Sequence, residues 1–223
     1  MLSTVFKKPS VFIAVLLCLL AGAFLGHALQ ADAFLQPSEK SHPKPNAVDI
    51  GFAQSMQLHH NQAIQMAMMV KKSESAQIRE LAHSIMLSQT HETGLMKGML
   101  SAWHEPTLPP GAAMEWVEHA ENVTVLDDLL YQAQCRAAKG KMAGLATPEQ
   151  LKRLAELQGT AQDEFFIELM LEHHKAALPM ARFARNNGHS PLIKNLARAM
   201  INEQAQEIQW MTLNYPQKED NPS

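Results

Sequence analysis

An internal repeat that carries two adjacent histidines constrains the fold of this chain more than any other feature. His59 and His60 lie in the first copy and His173 and His174 in the second, at an offset of 114 residues. Eight positions recur at this offset: Asp49, Phe52, Met56, His59, His60, Ala63, Met66 and Ala67 return as Asp163, Phe166, Met170, His173, His174, Ala177, Met180 and Ala181. Because a repeated sequence generally folds as a repeated unit, the copies predict two equivalent halves.

The spacing within each copy is that of an amphipathic helix. At ~100° per residue, the repeated apolar positions and both histidines of the first copy fall within a sector roughly 100° wide. Helices are therefore predicted over about 48–72 and 163–186. Each is followed by a second helix, over about 75–103 and 191–215, whose apolar stripe also recurs. Both histidines of each doublet are expected to face the core.

Polar residues recur on the inner stripes of the second helices. Gln89 and Glu92 lie on the first stripe, and Gln204 and Glu207 on the second. A carboxylate on a core-facing line needs a partner, because burying it alone is costly. In an antiparallel hairpin, the histidines of the preceding helix are the nearest suitable groups.

Two helical hairpins with matching inner faces pack most simply as an antiparallel four-helix bundle. The predicted fold class is therefore all-α. The connection between the hairpins adds one or two helices, over about 123–138 and from the capping-box sequence at 147–150 to about residue 158.

The composition favours a soft metal ion as the ligand of the inner faces. The chain has 14 Met and 11 His but only 2 Tyr. Thioether sulfur and imidazole nitrogen together suit copper, particularly Cu(I), whereas Mg²⁺ and Ca²⁺ prefer oxygen. Met56 and His60, like Met170 and His174, are four residues apart and can converge on one ion. The candidate metal ligands are Met56, His59, His60, Met66, Met96, Met170, His173, His174, Met180 and Met211.

Each candidate also has a plainer structural interpretation. A histidine on an apolar helix face is commonly a core residue with a hydrogen-bond partner, and methionine commonly fills gaps in helical cores. Glu92 and Glu207, with Gln89 and Gln204, are expected to orient the imidazoles rather than bind metal. The main alternative to copper binding is thus a metal-free helical interaction module. Six histidines fall outside the inner faces and are expected at the surface: His42, His83, His91, His104, His119 and His189.

Other function classes have little support in the sequence. A net charge of -3 gives no electrostatic reason to expect nucleic acid. Cys18 and Cys135 form no CxxC motif, and no Gly-x-Ser-x-Gly sequence is present. A di-iron carboxylate site needs paired Glu-x-x-His motifs, but only Glu80 and His83 match, without a counterpart in the second half. We therefore expect no enzyme, and a copper-dependent oxidoreductase ranks third.

The N-terminal sequence is typical of an export signal. Lys7 and Lys8 precede an uncharged apolar run over 11–26, and Ala31-Asp32-Ala33 offers a cleavage motif. Residues 1–33 are predicted to be a signal peptide or membrane anchor, 34–46 a proline-containing linker, 47–215 the helical domain and 216–223 a flexible tail. The predicted location is the periplasm or the outer face of the cytoplasmic membrane.

The repeated motifs resemble those of domain-of-unknown-function family 305. The resemblance rests on the Phe-x3-Met-x2-His-His-x2-Ala-x2-Met-Ala frame, on Gln-x2-Glu-x3-Met, and on the sequences at 101–106 and 147–151. It covers about 49–215 and implies a ferritin-like four-helix fold, an exported protein and copper binding through Met and His. It supports the same ten candidate ligands, and it suggests a copper-efflux or delivery protein as a partner. Nothing transfers to residues 112–141.

Overall fold

A computed structural model of the chain describes residues 43–215. No strand occurs in this range, so the all-α prediction is confirmed for it. The predicted signal segment, most of the linker and the tail lie outside the described residues. The helices of the described range are α1 (Ala47–Val70), α2 (Ala76–Ala102), α3 (Leu126–Ala137), α4 (Pro148–Glu156), α5 (Gly159–Asn187) and α6 (Pro191–Asn214), with a 3-10 helix at Glu115–His119.

The long helices pack as the two predicted hairpins. Helix α1 lies against α2, and α5 lies against α6. The two hairpins meet where α1 packs against α5. Asn46, at the start of α1, donates a hydrogen bond of 2.9 Å to the carbonyl of Asn187, at the end of α5. The two histidine-bearing helices are therefore antiparallel neighbours, which brings the two doublets to the same level of the core.

The repeated aspartates tie each hairpin to the turn of the other. Asp49 Oδ2 accepts hydrogen bonds of 3.0 Å from the backbone amides of His189 and Ser190, in the turn before α6. Asp163, its counterpart, accepts one of 2.7 Å from the hydroxyl of Ser73, in the turn before α2. Because these buried bonds cross between halves, they hold α1 and α5 in register.

Helix boundaries largely follow the predictions, but α3 begins at Leu126, three residues after the predicted start at residue 123, and α5 begins earlier than predicted. Thr147 forms the predicted capping box with Gln150 at the start of α4, and Asn46 forms one with Asp49 at the start of α1 that the sequence analysis did not identify. Helix α5 begins at Gly159, four residues before the predicted start at residue 163. Gly159 has a φ of +58°, so it makes the turn out of α4 and the helix continues directly from it.

The connection between the hairpins covers one side of α1 and α5. Gln62 on α1 donates a hydrogen bond of 2.9 Å to the carbonyl of Ala146 and accepts one of 2.7 Å from its amide. Gly144, with a φ of +76°, lies so close to α5 that an added Cβ would overlap the Cβ of Ala176. The lack of a side chain there lets the loop close over the helix beside His173.

Among residues 43–215, no helix combines the length and apolar character needed to cross a bilayer.

Candidate metal centre

The four repeated histidines form one buried layer between α1 and α5. His59, His60, His173 and His174 each have 0% of their surface exposed to solvent. This confirms the expectation that both members of each doublet face inward. The layer contains two different pairs, and we call His60 and His174 the outer pair and His59 and His173 the inner pair.

Each histidine of the outer pair is bound to a glutamate on the second helix of its hairpin. His60 Nε2 lies 2.8 Å from Glu92 Oε2, and His174 Nε2 lies 2.6 Å from Glu207 Oε2. Because a carboxylate oxygen can only accept, the ring nitrogen donates each bond. In a neutral ring this leaves the lone pair on Nδ1, and neither Nδ1 has a hydrogen-bond partner among the described residues.

The inner pair consists of two rings in contact across the interface between the halves. The ring centroids of His59 and His173 are 3.7 Å apart, and the ring planes are tilted by 40°. His173 Nε2 donates a hydrogen bond of 3.0 Å to the carbonyl of His59. Within residues 43–215, His173 Nδ1 and both ring nitrogens of His59 lack a partner.

Burial keeps the inner pair in the form that binds metal. Desolvation lowers the pKa of His59 well below its usual value, the charges of His60 and His174 lower it further, and the nearby backbone of Ala143 opposes the shift in part. The pKa of His173 is also lowered, mainly by desolvation and further by the charges of His59, His174 and His60. Both rings are therefore neutral near neutral pH, and neutral imidazole is the metal ligand.

Five ring nitrogens of this layer lack a hydrogen-bond partner among the described residues, and so many unpaired nitrogens at one place need an explanation. They are Nδ1 of His60, His173 and His174 and both nitrogens of His59. A buried polar atom without a partner costs about 1–3 kcal/mol, and native proteins contain few of them. The arrangement costs stability, and each of the four rings, when neutral, has one nitrogen whose lone pair can bind an ion.

The candidate methionines flank the histidine layer in two sets that cross between halves. Met56 and Met96 of the first half share an apolar cluster with Met180 of the second half. Met170 and Met211 of the second half share another cluster with Met66 of the first. The antiparallel packing of α1 and α5 causes the exchange, because the start of each helix faces the end of the other. All six are at most 1% exposed.

The glutamines of the inner stripes are buried but do not orient the imidazoles. Gln89 and Gln204 are largely enclosed, and the Oε1 of each lacks a partner in the described part of the chain. No hydrogen bond joins either side chain to a histidine there. Of the four predicted orienting residues, Glu92 and Glu207 are therefore the two that contact the rings.

Glu203 is a residue of this region that the sequence analysis did not single out. It lines a groove of about 520 Å³ between α2 and α6, together with Glu80, Glu207 and Trp210. Burial raises the pKa of Glu203, and the carboxylates of Glu92 and Glu207 raise it further. Its spacing of four residues from Glu207 was the available signal, because that spacing puts both on one helix face.

The remaining sequence expectations concern the surface. His83, His91, His104, His119 and His189 are exposed, as is Glu80, so the single Glu-x-x-His match faces solvent. His42 lies outside the described residues. Within residues 43–215, no three side chains drawn from His, Cys, Asp and Glu converge as a group able to hold a metal.

Comparison with known proteins identifies relatives with the same fold. A family profile described as "Domain of unknown function (DUF305)" matches residues 49–214. A DUF305 protein from Streptomyces coelicolor has a TM-score of 0.63 and 29% identity, covering 75% of this chain and 91% of that one. A DUF305 fragment from Deinococcus radiodurans has a TM-score of 0.59 and 27% identity, covering 78% of this chain and 98% of that one.

A third relative is CopM, whose structure has been solved with metal bound. The Cu(II)-bound form has a TM-score of 0.55 and 27% identity, covering 75% of this chain and 95% of that one. CopM has also been solved with Cu(I) and with Ag bound. Comparison with curated protein sequences found no significant match.

Proposed function

The chain belongs to the DUF305 family, and from this premise we propose that it is an exported protein that binds Cu(I), with Ag(I) as a second soft ion. Its role is to buffer copper or hand it over in the cell envelope, as a metallochaperone or resistance protein. The helical core serves as a ferritin-like four-helix scaffold for this site.

The observation that carries the proposal is the set of unpartnered nitrogens in the histidine layer. Glu92 and Glu207 bind the Nε2 side of the outer pair, which leaves the Nδ1 lone pairs free within the core. This is the carboxylate–histidine arrangement that commonly supports a metal-bound imidazole. The inner pair adds further neutral nitrogens.

The methionine sets supply the second kind of donor. Thioether sulfur and imidazole nitrogen favour Cu(I) over harder ions. Met56 lies one helical turn from His60, and Met170 one turn from His174. We assign the ligands to the histidine layer and the adjacent Met56, Met96 and Met180 on one side and Met66, Met170 and Met211 on the other.

The relatives support the same chemistry at low identity. CopM, at 25–27% identity over most of the described chain, has been solved with Cu(I), Cu(II) and Ag. The Streptomyces coelicolor relative is classed as a secreted protein, which agrees with the export signal expected over residues 1–33.

Binding rather than catalysis fits the layer better. Full burial of the four rings suits them to hold an ion rather than to admit a substrate. We propose that the acidic groove at Glu203 and Glu207, which reaches the glutamate bound to His174, is where a delivery or efflux partner exchanges the ion. We therefore propose that the chain is not an enzyme.

A competition experiment tests the proposal. Metal-free protein is titrated with Cu(I) against a chromogenic chelator, beside a variant with His59, His60, His173 and His174 changed to Ala. The variant should lose the Cu(I) equivalents held by the layer, whose affinity should fall by orders of magnitude. The matched control replaces four exposed histidines, His83, His91, His104 and His119, and should bind as the wild type does.

A second variant tests the site even if the four-histidine variant does not fold. Met56→Leu with Met170→Leu keeps the core volume while removing two sulfurs, and such exchanges usually cost less than ~1.5 kcal/mol. Weaker Cu(I) binding by this folded variant is expected. Wild-type affinity in both variants would refute the copper site.

The alternative function is a metal-free helical interaction module of the envelope. The observation that favours it is that the His60–Glu92 and His174–Glu207 pairs hold the hairpins in register without any ion. This alternative expects an unchanged melting temperature when Cu(I) is added, whereas a ligand that binds only the folded state raises it.

A further inference from the structure

A small cavity beside the central connection is bordered by four sulfur-containing side chains. It has a volume of about 170 Å³, and Met114, Cys135, Met142 and Met180 all contribute to its lining. Met114, Cys135 and Met142 come from the segment between the hairpins, and Met180 comes from α5. Sequence reasoning linked only Met180 to metal binding, because the other three are distant in sequence and have no counterpart in the repeat.

The four side chains differ in their access to solvent. Met114, Cys135 and Met180 are buried, and Met142 is half-buried. Lys141 and Ala143, which also line the cavity, are exposed. Lys141 and Ala143 therefore lie at the exposed edge of the cavity, and the three buried sulfur-containing side chains lie at its inner side.

The lining supplies soft donors beside three polar side chains, those of Tyr131, Gln134 and Lys141. A thiol and three thioethers surround the space, and no carboxylate lines it. Burial raises the pKa of the Cys135 thiol, and a hydrogen bond with Tyr131 opposes the shift in part, so without a metal the thiol is protonated near neutral pH. A soft cation changes this balance, because a thiol that binds a metal loses its proton.

Simple core packing accounts less well for this arrangement. Methionine in a core normally fills irregular gaps, since its side chain is flexible. Here three methionines border a space of about 170 Å³ that they do not fill. A site for a soft ion explains both the space and the identity of the side chains around it.

We propose that this cavity is a second site for Cu(I) or Ag(I), held by the Cys135 sulfur and the thioethers of Met114, Met142 and Met180. Binding is a proton exchange: the Cys135 S–H bond breaks, a sulfur–metal bond forms and one proton leaves to water, with no change in oxidation state. The site shares Met180 with the methionine set beside the histidine layer but uses none of the four histidines.

The test uses the full chain and Ag(I), which avoids the redox chemistry of copper. Ag(I) is added to reduced metal-free protein while thiolate-to-metal absorption, proton release and bound equivalents by native mass spectrometry are followed. The thiol control is Cys18→Ser, because Cys18 is the only other cysteine in the sequence. Cys18→Ser should keep the absorption, whereas Cys135→Ser should lose it together with one bound Ag(I) and one released proton.

A second comparison separates a cavity site from simple binding at a thiol. Met142→Leu retains Cys135 and should bind the additional Ag(I) more weakly. Met68→Leu removes an exposed thioether outside the cavity and should bind it as the wild type does. Equal binding by these two variants would overturn the proposed ligand set.

Two outcomes would overturn the site itself. One is a wild-type protein without thiolate-to-metal absorption, and the other is an absorption that survives in Cys135→Ser. If Cys135→Ser does not fold, the site is tested by alkylation of Cys135 in the Cys18→Ser protein, because bound Ag(I) should prevent that alkylation. The four-histidine variant should retain the absorption, so failure of the histidine site and failure of this site give different results.

Discussion

The outer and inner histidine pairs share one buried layer but differ in how their burial is compensated. In the outer pair, the ring of each histidine donates to a glutamate, at 2.8 Å for His60 and 2.6 Å for His174. In the inner pair, His173 reaches only a backbone carbonyl, and His59 has no partner among the described residues. The sequence repeat places the pairs side by side but does not make them equivalent.

This difference separates a structural role from a functional one. A histidine bound to a buried glutamate can be explained by packing and register alone. The inner pair has no buried carboxylate as a partner, and only His173 has a hydrogen-bond partner, so stability explains the imidazole of His59 less well. The inner pair is therefore the part of the layer that most needs a ligand, and variants of the two pairs should behave differently.

The largest effect is expected when the outer pair is broken in metal-free protein. His60→Leu keeps a similar volume but leaves the Glu92 carboxylate buried without its partner. Removing one member of a buried pair typically costs about 3–5 kcal/mol. Urea unfolding should show this loss, and a cost below that of the corresponding His59→Leu variant would contradict the comparison.

The pH dependence of stability should come from the inner pair. The pKa of His59 and that of His173 are lowered in the folded protein, so below the unfolded value of about 6.5 the unfolded chain binds more protons. Stability is therefore fully present above pH ~6.5 and falls as the pH drops towards the lowered folded values, by up to ~2.7 kcal/mol per pH unit for both rings.

Unfolding measured between pH 7 and 5 checks this dependence. A His59→Leu/His173→Leu variant should lose most of the slope in that window. The same slope in that variant would assign the dependence to other groups.

A smaller effect is expected when an outer-pair glutamate loses only its charge. Glu92→Gln retains an oxygen that accepts from His60, so metal-free stability should fall by about 1 kcal/mol. Copper affinity should fall by roughly 10–100-fold, as is common when a group that orients a metal-bound histidine is changed. Chelator competition measures the affinity. Glu207→Gln should have the same effect as Glu92→Gln because the two halves are equivalent. An effect on stability without one on affinity would favour the purely structural role of the outer pair.

The smallest effect on stability is expected from the inner pair at neutral pH. His59→Leu removes two buried nitrogens without a partner and orphans no charge, so metal-free stability should change by less than ~1 kcal/mol or increase. Calorimetry of the metal-free protein checks this, and Cu(I) titration of the same sample should show weaker binding. A large destabilisation would mean that His59 has a structural partner after all.

Much of the site could be predicted from local signals. The 3.6-residue period put His59 and His60 on the buried face of their helix, and a glutamate on the opposing stripe predicted the Glu92 contact. The Thr147–Gln150 capping box fixed the start of α4. These features depend on neighbours within a few turns or within one hairpin, where spacing alone determines which groups meet.

The sequence by itself determined that the chain would form two equivalent helical hairpins with inward-facing histidines, because periodicity and capping act over short distances. The tertiary structure decided which residues from different segments meet. Tertiary packing brought the rings of His59 and His173 into contact and placed Met180 in one cluster with Met56 rather than with Met170. It also brought Met114, Cys135 and Met142 to α5. These contacts depend on the antiparallel packing of α1 and α5 and on the path of the connection, which no local pattern specifies.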